Sequence, residues 1–123
     1  MRIAMDRLPL EMSVGEARVQ RGAWADRVVR VRHLPPDTRI GCGAGEAPDA
    51  LCRSPHWGYV LEGSLEVRFA FGERESARAG DVYYWPALHT CWTDEGVRCL
   101  EFSPAEDTDR PGTLAAARGG ARP

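Results

Sequence analysis

The sequence predicts an all-β domain, and three observations predict it. Short segments rich in Val, Tyr and Trp are separated at close, regular intervals by Gly, Pro and Asp, the punctuation of strands joined by tight turns. Nothing in the chain repeats with the period of about 20–50 residues expected of a solenoid. At 123 residues, 43% of them apolar, the chain is sized for one domain. It buries roughly two thirds of its unfolded surface, enough for a core without disulfide staples. Such strands leave a sandwich or a barrel as the architecture.

Taken in order, residues 1–15 read as an N-terminal arm or edge strand. Residues 16–103 carry the barrel, and 104–123 shift to Pro, Asp, Ala, Gly and Arg and read as a mobile tail. Within that tail, 114–118 has the composition of a single helical turn, too short to hold alone. RVVRVRHL (27–34) alternates, with Val29, Val31 and His33 on one face and Val28, Arg30 and Arg32 on the other. If the valine face is inward, His33 lines the interior, most simply as a hydrogen-bonded core histidine. Pro35-Pro36-Asp37 turns the chain into the short extended piece 38–40, and GCGAGEAPDA (41–50) is a loop. HWGYVLE (56–62), a turn at Gly63 and SLEVRFAF (64–71) predict a hairpin, with Leu65, Val67, Phe69 and Phe71 facing one way. A short strand follows the turn at Gly72, and VYYWP (82–86) follows the turn at Gly80 and runs to a proline that ends pairing. HTCWT (89–93), a turn at Asp94-Glu95-Gly96 and VRCLEF (97–102) predict a second hairpin.

Charge narrows the function. Sixteen basic and eighteen acidic residues give a net charge of −2, and the basic ones are scattered singly, which predicts no nucleic-acid partner. All sixteen are arginine, so lysine-based Schiff chemistry is excluded. No apolar run approaches the ~20 residues needed to cross a bilayer, so no membrane association is expected. The chain is read as cytoplasmic, with its four cysteines reduced.

Two segments carry a family likeness, LCRSPHWGYVLEG (51–63) and GDVYYWPALHTCW (80–92). They resemble the two conserved segments of the cupins, small double-stranded β-helix or jelly-roll barrels that hold one metal ion inside. Gly63 with the YVLEG run before it, Gly80-Asp81 and Pro86 fall on the family frame. The resemblance, which covers about residues 35–103, implies the jelly-roll barrel and a homodimer. The metal ligands depart from the family pattern. Seven residues before Gly63, where the family usually has Glu, stands His56; four earlier, at the second histidine position, stands Cys52; Ala50 replaces the first histidine. Eleven residues after Gly80 comes Cys91 rather than His, with His89 two residues before it. The chain is similar to a subgroup of small actinobacterial cupins with a cysteine before PHWGY and a proline-rich loop closing on His-Thr, a likeness that favours His89 over Cys91.

Residue chemistry points the same way. Cys52 and His56 lie four apart across a Ser-Pro kink, and His89 and Cys91 two apart in an extended segment share a face. Thiolate and imidazole favour a divalent transition metal, zinc first and iron or copper next, over magnesium or calcium. If Cys52, His56, His89 and Cys91 all bind, the site is closed and structural; if only Cys52, His56 and His89 bind, a fourth position stays open. A lone Cys or His is ordinarily a core residue, and Cys42 and Cys99 are read that way. The aromatic residues Trp57, Tyr59, Tyr84, Trp85 and Trp92 are candidates for walling a pocket for a flat organic ligand. Glu101 is a candidate acid–base group, since burial would raise its pKa; the bland alternative is an ion pair with Arg98 or another surface arginine. The expected function is an enzyme acting on a small organic molecule with the metal as Lewis acid: an isomerase, cyclase or lyase, or a dioxygenase if the metal is iron. The alternatives are a non-catalytic barrel that binds or senses a metabolite or metal, and a structural barrel closed around zinc.

Overall fold

The computed structural model describes residues 1–41, 51–105 and 113–116. Among these residues a single 3-10 turn at Met5–Arg7 precedes ten strands: β1 Leu10–Val14, β2 Ala17–Trp24, β3 Arg27–Leu34, β4 Thr38–Gly41, β5 His56–Phe69, β6 Arg74–Arg78, β7 Val82–Trp85, β8 His89–Thr93, β9 Val97–Pro104 and β10 Thr113–Ala116. All pairings are antiparallel, and the strands form one curled sheet in the order β1-β2-β3-β9-β5-β8-β4-β10, with β6 and β7 also paired to β5. This half-barrel is the all-β architecture the sequence predicts. Cys42 and most of the loop and tail segments lie outside the described residues. Within the tail, Thr113–Ala116 is extended and pairs with β4, so that piece is strand rather than helical turn.

The centre of the design is β5, a single strand of 14 residues where the sequence suggested a hairpin. Its first half lies between β9 and β7, its second half between β6 and β8. Gly63 does not reverse the chain; it lies just past a bulge, where the β9 pairing shifts register between Val60 and Glu62, and takes a φ of +77°. A Cβ there would come within 2.0 Å of the Gly96 carbonyl oxygen, so only glycine lets the bend pack against the 94–96 turn. The predicted second hairpin is corrected too: β8 and β9 do not pair with each other but follow one another along the same edge of β5, β9 on its first half and β8 on its second, with β7 and β6 along the other edge. The turn between them crosses from one part of the sheet to the other. It is pinned by Thr93, whose hydroxyl donates to the Ser64 carbonyl at 2.7 Å and accepts from the Gly96 N–H at 2.9 Å.

The main core joins both parts of the sheet through side chains such as Leu34, Ile40, Val60, Leu65, Val67 and Trp85. A second, smaller cluster sits on the other face of the sheet, where Val29 and Val31 pack under Leu8 and against Met5 and Leu100. The valine face of β3 therefore points outward, beneath the N-terminal turn, and His33 goes with it, 3.3 Å from Gln20 Oε1. The inward face carries Val28, Arg30 and Arg32. Arginines are tolerated there because each meets a buried carboxylate, Glu11 for Arg30 and Glu101 for Arg32.

Candidate metal centre

Three side chains converge where the start of β5 meets the start of β8. Cys52 is tied to His89 by an isolated bridge, its N–H donating to the His89 carbonyl at 2.6 Å and its own carbonyl accepting from Leu88 at 2.5 Å. His56, the first residue of β5 after the Ser54-Pro55 break, points inward with Gly58 and Val60. One donor atom each from Cys52, His56 and His89 lie within 4.8 Å of one another, and all three residues are buried. The thiol Sγ is 3.6 Å from His56 Nε2. In a tetrahedral site with Zn–N and Zn–S bonds of about 2.0–2.3 Å, ligand atoms sit about 3.3–3.8 Å apart, so this pair is already spaced for a shared ion.

The tautomer of His89 follows from its neighbour. Nδ1 lies 2.8 Å from the Pro86 carbonyl oxygen, which can only accept, so Nδ1 carries the proton and the Nε2 lone pair faces the cluster. That nitrogen is wholly buried and has no hydrogen-bond partner among the described residues. Leu88, at a φ of +71°, makes the tight turn that brings His89 back over Pro86. A buried imidazole nitrogen beside a thiol and a second imidazole fits a soft-to-borderline metal ion.

Behind His56 lies a buried carboxylate, Glu101. Glu101 Oε2 is 3.3 Å from His56 Nδ1, a charge contact rather than an aligned hydrogen bond, and pairs with the Arg32 guanidinium; Oε1 accepts the Tyr83 hydroxyl at 2.7 Å. Burial alone would raise the pKa of Glu101, yet Arg32 and then His56 overcome it and hold the carboxyl well below its usual range. The expectation of a raised carboxyl is thus corrected, because that expectation took no account of a buried arginine. Burial depresses His56, and Glu101, with help from Cys52, more than reverses this, leaving it at about 9. The same carboxylate, second to burial itself, pushes the thiols up: Cys91 well above its ordinary value and Cys99 to about 12.

The candidate residues separate cleanly. Cys52, His56 and His89 come together. Cys91 shares the inward face with His89 but is not among the three donors within 4.8 Å. Trp85 is fully buried with its ring 5.6 Å from that of His89. Trp57, Tyr59 and Tyr84 differ from expectation: with His56, Gly58 and Val60 inward, alternation puts these rings on the outer face, about 40–50% exposed (41%, 39% and 53%). Trp92 lies on the outward-facing side of β8, buried beneath the Arg74 guanidinium 5.8 Å above its ring. The sequence groups Tyr83 with the clustered aromatic residues but links neither it nor Arg32 to Glu101. Their partner Glu101 is 69 and 18 positions away, and the one available hint was an arginine alternating with valines in β3.

Solved structures with the same fold are distant in sequence. An ethanolamine utilization protein Q from Salmonella typhimurium superposes with a TM-score of 0.57 at 20% identity, over 72% of this chain and 68% of that one. A variant oxalate decarboxylase from Bacillus subtilis gives 0.64 at 13% identity, over 92% of this chain and 32% of that one. The Lactobacillus farciminis oxalate decarboxylase gives 0.60 at 16%, over 87% and 32%. The chain thus spans about a third of the oxalate decarboxylases it matches. No protein-family model and no curated protein sequence matches it. At these identities the likeness defines the fold, and the class is therefore a cupin-like half-barrel with a buried Cys/His/His cluster. The three ligand candidates are this chain's own.

Proposed function

We propose that the protein binds one divalent transition metal, zinc by first preference, through Cys52, His56 and His89, and uses it on a small organic substrate. The observation that carries this reading is the buried Nε2 of His89, an acceptor without a partner among the described residues, beside a thiol and a second imidazole. With three protein donors and Cys91 standing apart, a fourth position is left for water or substrate, the arrangement of catalytic rather than structural sites. A bound ion supplies Lewis acidity toward a carbonyl or carboxylate oxygen. The chain's own residues orient the donors: Pro86 fixes the His89 tautomer, Glu101 faces the far side of His56, and Trp85 excludes water beside the cluster. The test is metal analysis of protein purified without chelator. About one equivalent per chain is expected, lost in both Cys52→Ala and His89→Ala; stoichiometric metal retained in both variants overturns the reading.

A second reading has one observation in its favour: Cys52, His56 and Glu101 stand in line, 3.6 and 3.3 Å apart, as a thiol–imidazole–carboxylate series. Against it stand the burial of Cys52, 3% exposed, and the lack of any role for His89 Nε2. Rapid alkylation of Cys52 by iodoacetamide that a saturating metal does not slow would favour this series.

A further inference from the structure

We infer that Glu101 is a positioning residue for the metal site, holding His56 so that Nε2 faces Cys52 and His89, and that Arg32 and Tyr83 exist to hold Glu101. This rests on the metal reading above and extends it to three residues outside the ligand set.

The argument is geometric. Tyr83, Gly58 and Glu101 occupy one row across three neighbouring strands, β7, β5 and β9. Gly58 has no side chain between the other two, and a Cβ there would lie 2.2 Å from the Tyr83 ring. The missing side chain is what allows the phenol to cross β5 and donate to Glu101 Oε1 at 2.7 Å. Arg32 approaches the other oxygen from β3, the strand on the far side of β9. The carboxylate is thus clamped from both sides, and the oxygen that Arg32 holds is also the one 3.3 Å from His56 Nδ1. His56 in turn presents its opposite nitrogen to the thiol. An imidazole that bonds a metal through one nitrogen commonly gives the other N–H to a carboxylate, which sets the ring's orientation and basicity. A buried ion pair is seldom retained for stability alone, because desolvating both charges offsets most of their attraction. This one stands directly behind a ligand.

The experiment measures Co2+ binding to the full chain by the thiolate-to-cobalt absorption in the near ultraviolet and by competition with a chelator. Wild type is compared with Glu101→Gln, which keeps size and one acceptor oxygen, and with Tyr83→Phe, which removes only the hydroxyl. Folding of each is checked by circular dichroism. Glu101→Gln is expected to weaken Co2+ affinity about 10–100-fold and to shift the ligand-field bands. Tyr83→Phe should weaken it less, in the same direction, and Glu101→Asp should restore part of the loss. A folded Glu101→Gln protein with wild-type affinity and spectrum overturns the inference. Should Glu101→Gln fail to fold, Tyr83→Phe decides: wild-type affinity and spectrum there equally overturn it. A wild-type protein that takes up no Co2+ fails the metal reading itself, a different outcome from either.

Discussion

The two halves of β5 share one backbone, their alternation offset by one residue at the bulge between them, and they face different chemistry. From His56 to Val60 the inward positions offer an imidazole and a bare glycine to Glu101, Arg32 and Tyr83. From Ser64 to Phe69 they offer Leu65 and Val67 to the apolar core, 1% and 0% exposed. The bulge between Val60 and Glu62 and the bend at Gly63 separate the two, and beyond them the strand changes partners from β9 and β7 to β6 and β8. The second half is where burial stabilises the fold; the first is where charges are held in place for the cluster. A continuous strand lets the apolar half anchor the polar half without a hinge.

If this division is real, damage to one half should not reach the other. The largest effect is expected from Leu65→Ala, which removes a fully buried side chain and should lower unfolding stability by about 2–5 kcal/mol in urea melts of the metal-free protein. Metal stoichiometry and the cobalt spectrum should be unchanged, since the hydrogen bonds and ion pairs shown for the ligands do not run through Leu65. A Leu65→Ala protein that folds but no longer binds metal would show that the halves are one unit.

That division explains what was legible in the sequence. Alternation and turn residues revealed the all-β class, and the spacing of Cys52, His56 and His89 on a recognisable frame picked out the cluster. Alternation gives two faces without saying which is inside. In β3 the valines looked like the core, and the answer turned on where Arg32 found a carboxylate, 69 positions away. Trp57 and Tyr59 fall outside the interior for the same reason, since fixing His56 inward fixes them outward, whereas Trp85 stays inside beside His89. Gly63 misled differently: glycine at positive φ serves a chain-reversing turn and a bend within a strand equally, and the close approach to Gly96 that decides between them is a contact of the folded state.

The polar half should announce itself in the pH dependence of the metal-free protein. His56 is raised from 6.5 to about 9 in the fold, because Glu101 and Cys52 outweigh burial. A raised pKa contributes stability that is complete below the unfolded value and disappears as pH rises through the folded one. Between about pH 6 and 8 the metal-free protein should lose on the order of 2 kcal/mol by linkage. Glu101, depressed in the fold, works with the opposite sign: its contribution is present above the unfolded carboxyl value and is lost only in acid. Urea melts across this range should show the decline above pH 6.5, and His56→Gln should flatten it. A wild-type profile without slope there would mean that the imidazole and the carboxylate do not interact as the geometry indicates.

The smallest effect is expected on the outer face of the same half-strand, where the contrast is between inside and outside at adjacent positions. Trp57 and Tyr84 stack across β5 and β7 with ring centroids 5.3 Å apart, and Phe102 lies opposite Trp57 on β9. Tyr84 is 53% exposed, so Tyr84→Ala forfeits one cross-strand pair and should cost no more than about 1 kcal/mol. Metal binding should be untouched, because the face that carries the cluster is the other one. The measurement is the thermal midpoint of wild type and variant at two protein concentrations well apart. A monomer gives midpoints independent of concentration and a small, constant difference. The resemblance to cupins leads to the expectation of a homodimer, and a wild-type midpoint that climbs with concentration while that of Tyr84→Ala does not would place this aromatic face at the contact between copies. The outer rings of β5 would then serve assembly while its inner residues serve the ion, and the comparison would extend from the two halves of the strand to its two faces.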